Sequence, residues 1–285
     1  MKKNILILGG TGFLGTNLVL SLLADKDNCI FIYHRGKTKV RTFEAVTYIC
    51  GERSEEGLKR LKDISWHTIY DLGGFFPSEV LNSIKVFQNN VDNYIYCSSA
   101  SVYDIKNRAD LCPIAEEDNI SASNNIDLYS RFKILCERLL LNAFCSNSFP
   151  VTIIRPTIMI GQYDTSNRIF YWLKRLLGSQ PFIVPQDHQN YYLNLVDVRD
   201  VAKILVLLSQ RPNVKGAIFN ISATEHQFSL HQFVATLASH VHKSCQFHNV
   251  PSSLLISRNI FPGKSIPLWY PFNFIISSEK IKNTT

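Results

Sequence analysis

The stretch NILILGGTGFLG at residues 4–15 determines the fold that the sequence predicts. Its branched apolar residues indicate a buried strand, which runs into three glycines spaced three apart, Gly9, Gly12 and Gly15, and then into a helical pattern. Such a turn presents free backbone N–H groups and the positive end of a helix dipole, which together bind a pyrophosphate. We therefore expect a dinucleotide-binding turn. Its predicted contact residues are Gly9, Thr11, Gly12, Phe13, Leu14 and Gly15.

Short apolar runs alternate with helical patterns over the first 160 residues. The candidate strands read NILIL, CIFIY, VTYIC, HTIYDL, NYIYCSS and VTIIRP. The candidate helices between them lie at 13–24, 54–62, 77–90 and 127–145. Because such alternation places helices over both faces of a parallel sheet, we expect an α/β fold with a Rossmann-type doubly wound parallel sheet.

After Pro156 the pattern becomes less regular, and Pro-containing loops separate the elements. A helical segment NRIFYWLKRLL is followed by the strand YYLNLV with the helix VRDVAKILVLLSQ, and then by the strand GAIFNIS and a helix at about 229–241. No linker of low complexity separates this region from the first, so we expect it to pack there as a smaller C-terminal lobe. The predicted domains are 1–160 for dinucleotide binding and 161–285 mainly for the lobe, with about 190–222 returning to the first domain.

Amino-acid composition and net charge limit the cellular compartment and the kinds of partner that the sequence predicts. No stretch of the 285 residues approaches the ~20 apolar residues of a membrane span, so none is expected. Seven cysteines without C-x-x-C pairing are typical of reduced thiols in a cytoplasmic chain, and they predict neither disulfides nor a metal site. The net charge of +7 favours an anionic partner, and by itself leaves open nucleic acid, a membrane surface or a phosphorylated small ligand.

A second cluster of residues indicates proton-transfer chemistry. In YSRFK, Tyr129 and Lys133 lie four residues apart, which on a helix places them on one face. Lys133 is expected to lower the pKa of Tyr129 by stabilising its phenolate, so that the phenol serves as general acid or base. Upstream, YIYCSSASVY ends an apolar strand in the hydroxyls of Ser98, Ser99 and Ser101.

These motifs together resemble the extended short-chain dehydrogenase/reductase family. The matching segments are GGTGFLG, SSASVY, YSRFK, IIRPTIMIGQYD and LNLVDVRDVA. Most members are NAD(P)-dependent epimerases, dehydratases and reductases that act on nucleotide sugars. The resemblance implies a catalytic set of Ser99, Tyr129 and Lys133, in which Tyr129 is the acid/base. It further implies that Ser99 contacts the substrate and that Lys133 binds the nicotinamide ribose. It also implies that the C-terminal lobe binds the substrate.

Cofactor choice is predicted from the segment FIYHRGKTK, which follows the second candidate strand. Family members that use NAD usually have a carboxylate there, whereas this chain has His34, then Arg35 and Lys37. An arginine can stack on adenine and pair with a ribose phosphate, so NADP is expected, with NAD as the alternative. The resemblance adds further predicted cofactor contacts at Glu52, Leu72, Gly73, Gly74 and Pro156.

Substrate residues are less clearly indicated. Arg168 lies where relatives bind the nucleotide diphosphate, and Lys174 and Arg175 follow one to two helical turns later. These two either join Arg168 there or are solvated charges on a helix whose Phe170 and Leu173 face inward, which is at least equally expected. Asp197 is predicted to cap the next helix. The chain also ends close to where relatives continue into a last helical segment, so we expect either a truncated sequence or the loss of that final helix.

The sequence therefore predicts an NAD(P)-dependent epimerase or reductase of nucleotide sugars, cytoplasmic, without a membrane partner, and a possible homodimer. Dehydration is less expected, because Ala100 and Ser101 stand where dehydratases carry an acidic pair. Two alternatives stay open. One is an RNA-binding or ribonuclease-like protein, because plant plastid relatives that bind and cut RNA share the RGK turn at 35–37; the other is a non-catalytic dinucleotide-binding subunit. The intact Ser99, Tyr129 and Lys133 set makes nucleic acid the less expected partner.

Overall fold

The computed structural model describes residues 2–36, 41–105, 111–122, 126–178, 182–187, 189–223 and 225–284. Its central feature is a seven-stranded parallel sheet. Numbered in chain order, its strands are β1 (Lys3–Leu8), β2 (Asn28–His34), β3 (Val46–Cys50), β4 (Trp66–Asp71), β5 (Val91–Cys97), β6 (Val151–Pro156) and β10 (Ile218–Ile221). The spatial order is β10-β6-β5-β4-β1-β2-β3, so the strand order reverses between β1 and β4. This is the expected doubly wound arrangement, in which ligands bind beyond the carboxyl ends of the strands at the reversal.

Helices cover both faces of this sheet. The helices are α1 (Phe13–Leu22), α2 (Glu55–Lys59), α3 (Pro77–Phe87), α4 (Leu128–Asn147), α5 (Arg168–Leu177), α6 (Val198–Ser209), α7 (Leu230–His240), α8 (Ser252–Ser257) and α9 (Glu279–Lys282). The four helices that the sequence predicts over residues 1–160 agree with α1 to α4 to within a few residues. No helix among the described residues has the length and apolarity to cross a bilayer.

The side chains of β1 contribute alternately to the core layers on the two faces of the sheet. Successive side chains of a strand point to opposite faces. Ile5 and Ile7 accordingly pack in one cluster with α1 and α6, while Leu6 and Leu8 pack in the other with α2, α3 and α4. Because all four side chains are buried, the strand reads as a continuous apolar run, as central parallel strands do.

A second core lies in the C-terminal half. Its strands are β7 (Ile158–Ile160), β8 (Phe182–Pro185), β9 (Tyr192–Asp197), β11 (Gln227–Ser229) and β12 (Phe247–Val250). They form a three-stranded sheet in the order β11-β9-β7 and a two-stranded sheet of β8 and β12. From the same half, β10 pairs with β6 and α6 packs on α1. The boundaries at 160 and 190–222 stay a prediction.

The orientation of α5 corrects one prediction. Phe170 was expected to face inward, but it is 62% exposed, and Trp172 and Leu176 are the buried residues. Residues four apart share a helix face. Trp172 sets that face, because its ring stacks on Phe182 at 6.3 Å and its indole N–H donates to the Pro267 carbonyl at 3.1 Å.

A buried ion pair ties α4 to β6. The Arg155 guanidinium donates to both carboxylate oxygens of Glu137, at 3.0 and 2.6 Å, and both side chains are 1% exposed. Arg155 also donates to the Tyr103 hydroxyl at 2.8 Å. Removing one partner of such a pair leaves the other charge buried without compensation.

We expect Glu137→Gln to reduce the free energy of unfolding by about 3–5 kcal/mol, because it leaves the Arg155 charge buried and unpaired. Urea denaturation followed by circular dichroism measures this. The control is Glu55→Gln, which removes the exposed Lys85–Glu55 pair and is expected to cost less than about 1 kcal/mol. Equal losses of unfolding free energy in the two variants would contradict a stabilising role for the buried Arg155–Glu137 pair.

Candidate active site

The glycine-rich turn joins β1 to α1 with the geometry that a pyrophosphate site needs. Gly9 has a φ of +87°, and a Cβ there would lie 3.0 Å from the backbone nitrogen of Gly73. A Cβ on Gly15 would lie within 2.6 Å of the Gly10 backbone, so both positions require glycine. Gly12 is different, because a Cβ there would meet only the Gly9 carbonyl at 3.8 Å. The space above Gly12 is therefore open to a ligand.

The same position begins α1. Gly12 is the N-cap, and no side chain caps the helix, so the positive end of the dipole faces that open space. Thr11 and Phe13 flank Gly12 and are partly buried, while the Leu14 side chain packs into the core. The turn fits the diphosphate of a dinucleotide.

A second predicted cofactor segment, Leu72 to Gly74, lies directly beside this turn. It follows β4, the neighbour of β1, and the Leu72 N–H donates to the Leu8 carbonyl at 3.0 Å. The close approach of Gly9 to Gly73 joins the two segments at the point where the strand order reverses. Pro156, also predicted to contact the cofactor, is buried at the end of β6 in the same sheet.

The segment predicted to read the adenosine ribose follows β2. His34 ends the strand, and its Nδ1 accepts a hydrogen bond from the Gly36 N–H at 3.1 Å. Arg35 is exposed and has no ion pair with any residue that the structure describes. Lys37 lies outside the described residues. Glu52 is exposed just beyond β3, where its carbonyl accepts a hydrogen bond from the Tyr33 hydroxyl at 2.9 Å.

A buried ion pair holds the ends of β3 and β4 together. The Arg53 guanidinium donates to both oxygens of Asp71, at 2.6 and 2.7 Å, and to the Ser83 hydroxyl at 2.8 Å. Tyr94 donates its hydroxyl to the same carboxylate at 2.5 Å. Burial acts to raise the pKa of Asp71, but the Arg53 charge and these hydrogen bonds outweigh it and hold the pKa below its usual range. The pair links the segment of Glu52 to that of Leu72.

Ser99 and Tyr129 are brought together across the site. Ser99 follows β5 and accepts a hydrogen bond from the Ser101 N–H at 3.2 Å. Tyr129 lies in the first turn of α4, which Asp127 caps by accepting from the Ser130 N–H at 3.1 Å. The Ser99 hydroxyl lies close enough to the Tyr129 phenol to lower its pKa.

The Lys133 side chain is enclosed one helical turn further on. It is 2% exposed, and its ammonium donates to the carbonyls of Gly74 at 3.0 Å and Cys97 at 2.7 Å. Two aromatic rings flank it, with centres 5.0 Å away for Phe75 and 4.7 Å away for Tyr96. Burial lowers the pKa of Lys133, since removal from water disfavours the charged form.

The spacing with Lys133 predicts a lowered pKa for Tyr129, but in this structure the net shift is in the opposite direction. Burial raises the pKa of Tyr129 to about 12, although its hydrogen bond with Ser99 and the charge of Arg168 act in the opposite sense. The Lys133 ammonium directs its donors to Gly74 and Cys97, and its Nζ lies 5.9 Å from the Tyr129 ring centre. Desolvation of the hydroxyl therefore dominates, although the residue as a whole is 44% exposed.

Arg168 faces the same site from the C-terminal half. It begins α5, donates to the Ser166 hydroxyl at 3.1 Å and has no carboxylate partner among the described residues. Its charge acts on both Tyr129 and Tyr270 and lowers their pKa, although burial raises both overall. The guanidinium is therefore available to an anion near the predicted acid/base.

Three other charges that the sequence analysis considered lie in this half. Arg175 stacks over the Tyr171 ring at 4.7 Å, and Lys174 is exposed. Asp197 caps α6 by accepting from the Arg199 N–H at 2.8 Å, as predicted.

Two aromatic residues of the site were missed by sequence reasoning. Phe75 lies against Tyr129, with ring centres 6.2 Å apart, and directly follows the predicted segment Leu72 to Gly74, so its position in the chain was a usable signal. Tyr270 packs beside Gly263, and it lies close enough to Arg168 for that charge to lower its pKa. It comes from a loop about 100 residues after α5 begins, and no local pattern indicates that contact.

Comparisons with known proteins agree with this architecture. The model of the NAD dependent epimerase/dehydratase family matches residues 76–222, just over half of the 285 residues. Chloroplast stem-loop binding protein of 41 kDa b from Arabidopsis thaliana is 26% identical over 241 residues, 79% of this chain and 60% of that protein. UDP-glucose 4-epimerase from Vibrio cholerae is 25% identical over 266 residues, 84% of this chain and 76% of that protein. The chain thus spans about three fifths of the plastid protein.

A solved structure shows the same fold. UDP-glucuronic acid 4-epimerase from Bacillus cereus, in complex with UDP-glucuronic acid and NAD, aligns with a TM-score of 0.78 at 16% identity, over 98% of this chain and 92% of that one. At this identity the likeness concerns the fold alone. Because the family match extends over more than half of the chain, this protein belongs to the NAD-dependent epimerase/dehydratase family, on the fold of the extended short-chain dehydrogenases/reductases.

Proposed function

We propose that the chain is an NAD(P)-dependent epimerase or reductase of a nucleotide sugar, with Ser99, Tyr129 and Lys133 as its catalytic set. The observation that carries the proposal is the convergence of these three side chains at the carboxyl edge of the sheet, beside the open glycine-rich turn. A phenol, a hydroxyl and an ammonium placed there supply proton transfer and charge stabilisation at one substrate oxygen.

A bound nicotinamide would supply hydride exchange with a substrate carbon. Gly12 and the N-terminus of α1 would hold its diphosphate, and Leu72 to Gly74 would line its path. Tyr129 holds the proton that moves to or from the substrate oxygen, and Ser99 orients that oxygen through its hydroxyl. Since the pKa of Tyr129 is raised to about 12, the phenol is protonated near neutral pH, which favours donation to a carbonyl oxygen. The Lys133 ammonium stabilises the phenolate that remains.

The substrate class is inferred from Arg168 and from the relatives. Arg168 offers a guanidinium without a carboxylate partner among the described residues, and guanidinium groups bind phosphate oxygens in a bidentate manner. UDP-glucose 4-epimerase and UDP-glucuronic acid 4-epimerase act on nucleotide sugars. Ala100 is buried and apolar, so the position of the dehydratase acidic pair offers no carboxylate, and dehydration is not proposed.

The proposal includes a cytoplasmic location and a homodimer. All seven cysteines are free, in keeping with a reducing compartment.

RNA binding is the second candidate, because a stem-loop binding protein is among the relatives and the net charge is +7. Nucleic-acid binding relies on exposed cations at the phosphates. Lys133 is 2% exposed, so it cannot contact the phosphates of a nucleic acid. A hydride-transfer site, in contrast, requires this lysine beside the acid/base tyrosine. A filter-binding assay with a salt titration separates the two, since phosphate contacts give an affinity that falls steeply with salt. A non-catalytic subunit would instead bind cofactor and turn over no sugar.

We expect Tyr129→Phe to leave folding and cofactor binding nearly unchanged and to reduce turnover by about two to four orders of magnitude, the usual contribution of a positioned proton donor. The substrate is first identified by a thermal-shift screen of nucleotide sugars, because a ligand of the native state raises the melting temperature. Lys133→Met is expected to weaken cofactor binding as well. The control is Tyr171→Phe, which removes the hydroxyl of a tyrosine on α5 whose ring lies against the Arg175 guanidinium. Near-normal turnover in Tyr129→Phe would refute its catalytic role.

Arg35 is expected to make the chain prefer NADP over NAD, because two parallel N–H donors can pair with the extra ribose phosphate. Such a charge-assisted contact contributes about 1.5–3 kcal/mol, so Arg35→Ala should weaken NADP by about ten- to 150-fold and leave NAD almost unaffected. Calorimetric titration of both cofactors measures this. Arg258→Ala, at an exposed position after α8, controls for net charge. Equal losses for NADP and NAD would mean that Arg35 only stacks on adenine.

A further inference from the structure

We propose that Phe75 is a positioning residue for the Lys133 and Tyr129 pair: its ring covers the Lys133 ammonium on the side toward the surface and supports the Tyr129 phenol. The role rests on the function proposed above. The ring centre lies 5.0 Å from the Lys133 Nζ and 6.2 Å from the Tyr129 ring centre, at an interplanar angle of 46°. Phe75 is thus in contact with both groups that the proposed proton transfer uses.

The surroundings of the ammonium show why a ring is needed there. An ammonium has three N–H donors, and the carbonyls of Gly74 and Cys97 accept two hydrogen bonds. The remaining charge is met by the faces of Phe75 and Tyr96, whose π electrons attract a cation most strongly where water is excluded. Tyr96 is completely buried, whereas Phe75 is 45% exposed. The Tyr129 ring is similarly exposed, at 44%, but its centre lies further away, 5.9 Å from Nζ, so Phe75 is the nearer of the two exposed rings over the ammonium.

The backbone holds Phe75 in this position. Its N–H donates to the Gly73 carbonyl at 3.0 Å and to the Glu79 carboxylate at 3.1 Å. The Phe76 N–H donates to the same carboxylate oxygen at 3.2 Å. Since Glu79 lies in the first turn of α3, the helix fixes the loop that carries the ring.

Phe76 provides a matched comparison within the same loop. It is 49% exposed, much like Phe75, but its ring packs against Phe132 at 5.5 Å, and no cation lies over it among the described residues. A substitution at each position therefore removes a similar exposed ring, and only the one at Phe75 removes a contact with Lys133.

Several other titratable or charged groups face Lys133 and influence its proton affinity. They are Asp71 at the end of β4, Arg53 after β3, Tyr96 and Cys97 on β5, and Tyr129 and Cys136 on α4. Burial is the largest influence and lowers the pKa of Lys133, while the Asp71 charge raises it. Phe75→Leu alters none of these groups and keeps an apolar cover, so it tests the ring alone.

The experiment titrates the ¹³Cε resonance of Lys133, assigned by its loss in Lys133→Met, in chains labelled at lysine. A cation–π contact of this kind favours the charged form, so Phe75→Leu is expected to reduce the proton affinity of Lys133 by about 2- to 30-fold. The titration midpoint then moves to lower pH. Phe76→Leu should titrate like the wild type, and Phe75→Tyr, which keeps the aromatic face, should restore the midpoint.

Turnover provides the second measurement. If a protonated Lys133 is required, the alkaline limb of the pH–turnover profile should move to lower pH in Phe75→Leu by the same factor, whereas a purely structural defect would reduce turnover equally at every pH. A midpoint in Phe75→Leu that equals or exceeds that of the wild type overturns the proposal. Because the titration requires no substrate, a chain that turns over no nucleotide sugar refutes the proposed function without altering this result.

Discussion

The burial of the Lys133 ammonium is the constraint on which the rest of the site depends. A charged amine removed from water is costly unless dipoles or ions replace its hydration. Here the replacements are the Gly74 carbonyl, the Cys97 carbonyl and the rings of Phe75 and Tyr96. Gly74 and Phe75 lie in the loop between β4 and α3, Tyr96 and Cys97 lie on β5, and the lysine comes from α4. The helix, the strand and the loop must therefore be in place before the ammonium is stabilised.

The Arg53–Asp71 pair extends this constraint toward the glycine-rich turn. Asp71 is the last residue of β4, so its bidentate bond to Arg53 anchors the segment Leu72 to Gly74 from one side. Lys133 bonds the Gly74 carbonyl from the other side, and Gly9 packs against Gly73. The predicted diphosphate site and the predicted proton-transfer site therefore share one short segment of backbone. A structural change in either site is expected to shift the other.

The electrostatics of Tyr129 bear on the direction of the proposed reaction. Burial of its hydroxyl raises its pKa to about 12, and the two influences that oppose this are the hydrogen bond with Ser99 and the charge of Arg168. Arg168 is also the residue proposed to bind the substrate phosphate. A bound phosphate would neutralise that charge and strengthen the phenol as a proton holder, so substrate binding and proton transfer are coupled through one guanidinium.

The sequence by itself determined the doubly wound fold and indicated Gly9, Gly12, Tyr129 and Lys133, because each of these signals lies within a short stretch of chain: a strand, a glycine-rich turn and a helical spacing of four. Ser99 was indicated by its place in the motif SSASVY. The burial of Arg53 against Asp71, the inward face of α5 and the approach of Tyr270 to Arg168 were decided only by the tertiary structure. So was the direction of the pKa shift at Tyr129, which the local spacing with Lys133 predicted wrongly. Each of these depends on how deeply a group is buried and on which distant segment reaches it, and neither quantity is encoded in the spacing of neighbouring residues.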